Sequence, residues 1–224
     1  MPRLQHELCE WTDTVSRKLP SLSKAEAGVL ALSSFGMGLV QSGGITSIAV
    51  FLGMRLGRKA NRVRPQWREF TYAGEDKRGA KRRTVEVDKC FGALLGWVLS
   101  WWSAGEHRLA LALDATTFRQ AFTVLVVSVV YRGCAIPVAW CVLPATQKGA
   151  WRPHWEHLLD VLKPSIPDDW LVLVLADRGL YAKWLYQRIV KLKWHPFLRI
   201  NEQGLFRPAG HPDFRPLRLS LIHI

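Results

Sequence analysis

Asp114 and Asp177 each stand at the end of an uncharged, strongly apolar run, Leu109-Ala-Leu-Ala-Leu before the first and Leu171-Val-Leu-Val-Leu-Ala before the second. Such runs suit buried strands, and a carboxylate that ends one emerges at the edge of a sheet. If the two strands are parallel neighbours, their main chains lie about 4.8 Å apart and the acids converge. Two ionised carboxylates held there repel each other, and a divalent cation between them removes the conflict. Mg²⁺ suits the position: it is hard, takes oxygen ligands, and commonly uses one or two carboxylates with water and substrate phosphate. A pair of such ions activates a water and stabilises the leaving oxygen in phosphodiester cleavage. Taken singly, each acid has a plainer reading. An aspartate between strand and helix is most often a helix cap, and Asp177-Arg178-Gly179 also suits a turn.

The elements that must position these acids are legible around them. Ala121–Tyr131 and Cys134–Val142 are rich in β-branched residues and are separated by Arg132-Gly133, a hairpin signal. Trp155, Leu158, Leu159 and Leu162 follow Pro153 at one-face helical spacing. Tyr181, Trp184, Leu185, Ile189 and Leu192 mark a further helix, and His195–Ile200 a closing strand. Three hairpin-linked strands, then helix, strand, helix, strand, predict a mixed sheet with flanking helices, the order of the ribonuclease H-like fold. Upstream, Ser23-Lys-Ala-Glu26 is a capping box that starts a helix running to about Gln41, stopped by Gly43-Gly44. A second helix from about Thr46 completes a helix-turn-helix-like pair.

The 224 residues are 49% hydrophobic and 22% charged, which excludes disorder, coiled coil and collagen. Thirty-one Lys and Arg against eighteen Asp and Glu leave a formal charge of +13, which favours a polyanionic partner. Eleven of those bases fall within Arg55–Arg83: Arg55, Arg58, Lys59, Arg62, Arg64, Arg68, Lys77, Arg78, Lys81, Arg82 and Arg83. Cations so grouped release counterions condensed on DNA, although a solvated linker has the same composition. The expected organisation is a helical DNA-binding segment over 1–75, a basic connector with an apolar helix over 76–108, and a partial catalytic domain over 109–218.

The segments Leu111-Ala-Leu-Asp114-Ala-Thr116 and Leu175-Ala-Asp177-Arg178-Gly179-Leu180 resemble the first and second acid motifs of DDE transposases of the insertion-sequence-4-like group. The resemblance spans about Leu22 to Phe206, and its second motif is the more specific. It implies a ribonuclease H-like catalytic domain with Asp114 and Asp177 as catalytic, metal-binding acids, holding Mg²⁺ or Mn²⁺. It also implies cleavage and strand transfer at insertion-sequence ends. The partners it implies are terminal inverted repeats and target DNA, bound by a homodimer in the bacterial cytoplasm, at the nucleoid. The family's third acid, a glutamate in a Tyr-x-x-Arg-x-x-x-Glu-type motif, is missing from this sequence. Glu202 lies in Asn201-Glu-Gln-Gly204, which reads as a turn. Leu219-Ser-Leu-Ile-His-Ile224 is the translation of CTGTCTCTTATACACATC, a mosaic-end sequencing adapter. The genuine sequence is therefore expected to leave off near Arg218, and the 224-residue chain to lack strand-transfer activity.

Other residues carry plainer readings. His154 and His157 have helical spacing, but no cysteine pair completes a zinc site. Cys9, Cys90, Cys134 and Cys141 form no C-x-x-C pair and suit reduced thiols, with Cys134 and Cys141 expected to be buried. Trp97, Trp101 and Trp102 suit a core or interdomain contact. The stretch from Glu26 to Arg55 is uncharged between its ends but rich in Ser and Gly, a poor membrane span, and no membrane partner is expected. The alternatives are a ribonuclease H-like nuclease that only hydrolyses and a DNA-binding protein whose carboxylates are structural. A membrane protein is a third, which fractionation separates.

Overall fold

The computed structural model describes residues 2–57, 60–72, 84–146, 151–200 and 204–216. The chain divides into two compact units, Met1–Trp101 and Trp102–Ile224.

The first unit is helical: α1 (Pro2–Lys18), α2 (Lys24–Val40), α3 (Ile45–Leu56), α4 (Ala60–Thr71) and α5 (Asp88–Leu99). The capping box forms as the sequence predicts, with Glu26 N donating to Ser23 Oγ at 3.3 Å and Ser23 N to Glu26 Oε2 at 2.8 Å. Gln41 ends α2 in the left-handed conformation, Gly44 caps α3, and the two helices meet at a bend of 92°. Among the described residues no single helix is long and apolar enough to cross a membrane, although this bent pair meets the test of length and composition. Leu8 of α1, Leu32 of α2, Ile48 and Leu52 of α3, and Val63 of α4 share one core. Val15, Leu19, Ala27 and Ala31 form a second, on which Cys90, Ala93 and Leu94 of α5 pack. The apolar helix expected in the connector therefore belongs to this helical core.

Gly36 sets how closely α2 and α3 approach. A Cβ there would lie 2.6 Å from Ile48 Cγ2, whose side chain is buried and cannot swing aside. Gly36→Ala is expected to destabilise this unit by about 1–3 kcal/mol through overpacking. Gly38→Ala meets nothing within 4 Å and is expected to stabilise by roughly 0.5–1 kcal/mol through helix propensity. Opposite shifts of the urea midpoint in the two variants test the pair.

The second unit is a five-stranded sheet in the order β3-β2-β1-β4-β5, with β1 (Arg108–Phe118), β2 (Phe122–Tyr131), β3 (Cys134–Pro144), β4 (Leu171–Ala176) and β5 (His195–Leu198). β1–β2 and β2–β3 are antiparallel hairpins, while β4 pairs parallel with both β1 and β5. Mixed sheet, strand order and flanking helices are those of a ribonuclease H-like fold. At the second hairpin Arg132 and Gly133 both take positive φ, 48° and 81°, as a two-residue turn matched to strand twist requires. Helices α6 (Arg152–Leu162) and α7 (Lys183–Lys191) follow β3 and β4.

Strand alternation places Leu109, Leu111, Leu113, Leu125, Val127, Val129, Val172 and Val174 on one face, all buried. Trp155, Leu158, Leu159 and Leu162 of α6 and Leu185 and Ile189 of α7 are buried as well. α6 packs on β2 and β3, and α7 on β5. The helices are tied by the ion pair between Arg188 and Asp160 and by the Arg152 guanidinium, 5.7 Å from the Trp184 ring centre. The hydrogen bond to Asp160 holds the Arg188 proton more tightly than usual. A two-stranded ribbon, β6 (Leu205–Phe206) with β7 (Arg215–Pro216), follows.

Candidate active site

The β1–β4 ladder runs in register from Arg108↔Leu171 to Leu113↔Ala176. The next position on each strand is an acid, Asp114 and Asp177. They therefore occupy neighbouring positions at the same end of two parallel strands. Strand parity puts Asp114 on the face of Ala112, opposite the face that packs on the helices, and Asp177 directly follows the last residue of β4. Both residues are exposed.

Each carboxylate is anchored through one oxygen. Asp114 Oδ2 accepts from the Thr116 hydroxyl at 2.7 Å, two residues along the same strand face. Asp177 Oδ1 accepts from the Gly179 backbone N–H at 2.9 Å, closing a tight turn. A Cβ on residue 179 would lie 3.2 Å from that same oxygen, so glycine there lets the carboxylate keep its place. Ala182 caps α7, so Asp177 is not the helix cap that a lone aspartate in this position suggests. The sequence reading did not single out Thr116 as an anchor. Its signal was the two-residue spacing, which in a strand puts Asp114 and Thr116 side by side.

Asp114 Oδ1 and Asp177 Oδ2 have no hydrogen-bond partner, and neither acid an ion-pair partner, among the described residues. Two exposed carboxylates at the same end of paired parallel strands offer the oxygen ligands that Mg²⁺ or Mn²⁺ takes. Among the described residues no group of three or more His, Cys, Asp or Glu side chains is placed to hold a metal ion. Glu202 lies outside the described residues, as does the segment 217–224.

The basic residues expected to contact phosphate are split by the same boundary. Arg58, Lys59, Lys81, Arg82 and Arg83 lie outside the described residues. Arg55 is exposed at the end of α3, and Arg62, Arg64 and Arg68 are exposed on α4, whose Val63 turns into the core. Arg64 and Arg68 are one turn apart and share a helix face.

Other assignments shift. Cys134 is exposed and Cys141 only half-buried, against the expected burial, because Cys134 opens β3 directly after the hairpin turn. Cys141 Sγ lies 3.7 Å from His154 Nδ1 on α6. Trp97 packs on Trp11 at a ring separation of 5.7 Å, whereas Trp101 is 47% exposed. Trp102 donates its Nε1–H to the Arg108 carbonyl at 3.0 Å and lies 4.5 Å from the Tyr131 ring.

No family model matches this sequence. No curated protein matches it either. Among solved structures, one similar chain comes from the crystal structure of the Mos1 strand transfer complex, at 13% identity and a TM-score of 0.28. The likeness covers 88% of this chain but only 63% of that one, and so loose a superposition assigns nothing to individual residues.

Proposed function

We propose that this chain is part of a DNA-processing protein of the transposase kind, in which Asp114 and Asp177 are two of the metal-binding acids that cleave and rejoin phosphodiester bonds. The supporting observation is the β1–β4 register, which makes the two acids the next residue on each of two paired parallel strands, each anchored through one oxygen. Asp114 and Asp177 are the residues that would hold and orient Mg²⁺ or Mn²⁺, which would supply positive charge at the reacting phosphate. Thr116 and Gly179 fix the direction of their carboxylates. The exposed arginines of α3 and α4, with the bases of 77–83, attract the DNA backbone. Terminal inverted repeats as the DNA recognised, a homodimer as the working form and a cytoplasmic, nucleoid-associated location belong to the same proposal, on the strength of the motif resemblance.

Because the third-acid motif implied by the resemblance is missing from this sequence, the proposal for the 224-residue chain itself is binding without cleavage. The chain is expected to bind duplex DNA with an affinity that falls steeply with salt, and to yield no cleaved product in Mg²⁺. Arg64→Ala is expected to flatten the plot of log affinity against log salt by about one unit of slope. Salt-insensitive binding, or none, would remove DNA as the partner. Cleaved product that depends on Asp114 would show that two acids suffice.

A further inference from the structure

Past the acids, β1 and β2 continue into a tip that contributes nothing to the core. Phe118 and Phe122 face each other across the hairpin and are 55% and 49% exposed. Strand parity places Phe118 on the same face as Asp114 and Thr116, and the cross-strand pairing puts Phe122 there too. Arg119 and Gln120 turn the chain at φ 49° and 55°, and the Arg119 guanidinium carbon lies 5.2 Å from the centre of the Phe118 ring. On the neighbouring strand Pro144 is paired with Phe122, and Val142 is 55% exposed. Two aromatic rings left about half exposed forgo much of the burial that drives folding.

Aromatic rings beside a guanidinium are the surface on which nucleobases stack while the cation meets the phosphate. Paired bases inside a duplex offer their edges to a protein, so a ring can stack only on a base that is unpaired or at a frayed end. Phe118 lies four residues beyond Asp114 along the strand, about 13 Å at 3.3 Å per residue. That is about four nucleotide steps at the 3.4 Å spacing of stacked DNA.

We propose that Phe118 and Phe122, with Arg119 beside them, form a stacking platform for unpaired nucleotides within about four steps of the phosphodiester at Asp114 and Asp177. The proposal rests on the DNA-processing reading and adds the local form of the ligand, a strand that has left the duplex. Phe118 and Phe122 are positioning residues here and take no part in the chemistry.

Two fluorescent duplexes test it on the full 224-residue chain, one blunt and one with a four-nucleotide single-stranded extension carrying 2-aminopurine at each position in turn. The chain is expected to prefer the extended duplex and to quench 2-aminopurine most strongly at one position. Phe118→Ala is expected to weaken binding to the extended duplex about 5- to 150-fold, the effect of losing one stacked base, and to leave the blunt duplex unchanged. Phe118→Leu, which keeps an apolar side chain at the tip, is expected to behave like the alanine variant, and Phe118→Trp to restore both affinity and quenching. Equal losses on the two duplexes, full binding by Phe118→Leu, or no preference in the unsubstituted chain overturns the platform while the DNA-processing reading stands. Loss of self-association in place of DNA binding assigns the tip to a second copy and overturns it too. An unsubstituted chain that binds neither duplex overturns both readings.

Discussion

Asparagine at position 114 is expected to weaken Mn²⁺ binding by at least about tenfold, with the fold unchanged. Asn has nearly the shape of Asp, and its carbonyl oxygen can still accept from Thr116, so the strand and its anchor survive. What disappears is one of two negative charges facing the open position. Losing even a residue that only supports a metal ligand typically costs 10–100-fold in affinity, so losing a ligand itself costs at least as much. Asp177→Asn is expected to act alike. The double variant is expected to fall well short of the product of the two single losses, since each single change already breaks the one shared site. The signal of free Mn²⁺ in paramagnetic resonance reads these affinities directly. Losses that simply multiply would mean that the carboxylates bind separate ions, and the convergence of the two strands would have no chemical meaning.

Trp155→Ala carries the largest expected effect on stability. The indole is 1% exposed, on the face of α6 that packs on β2 and β3. Removing it leaves a cavity beneath a helix whose other core residues, Leu158, Leu159 and Leu162, cannot collapse into the space without tilting the whole element. Truncations of this kind cost about 3–5 kcal/mol, a large share of the 5–15 kcal/mol typical of a domain. Amide exchange in β2 and β3 is the right measurement, because it reports on this unit alone. Protection there is expected to collapse, while that of the helical unit is kept. Unchanged protection would mean that α6 contributes little to holding the sheet.

Much of the sheet was legible because its signals are local. The apolar runs before Asp114 and Asp177, the Arg132-Gly133 turn and the one-face spacing after Pro153 each name an element without reference to the rest of the chain. Strand direction followed from element order, since hairpins must be antiparallel and helix-linked strands parallel. Of the site, the sequence carried the position of each acid after an apolar run, and the β1–β4 register, which ends at Leu113↔Ala176, makes Asp114 and Asp177 the next residue on each strand. What escaped depends on tertiary packing. α4 contains Pro65 and three arginines and has little helical signal of its own, yet Val63 docks into the core formed by α1, α2 and α3. α1 was overlooked although Leu4, Leu8, Trp11 and Val15 mark its inner face at helical spacing. The exposure of Cys134 depends on where the hairpin ends, a boundary that composition does not fix to the residue.

β1 is eleven residues long and β4 only six, so after Leu113 the central strand of the sheet loses its parallel neighbour. From Ala115 to Phe118, alternate residues point main-chain N–H and C=O groups toward the side that β4 has vacated. A strand interior at one end is thus an edge at the other, where among the described residues no strand pairs on that side, and its amides must be hydrated or find another extended chain. Thr116, Thr117 and Arg119 keep that edge polar and resist sticking. Apolar replacements at the two threonines would turn the margin beside the carboxylates into a template for aggregation.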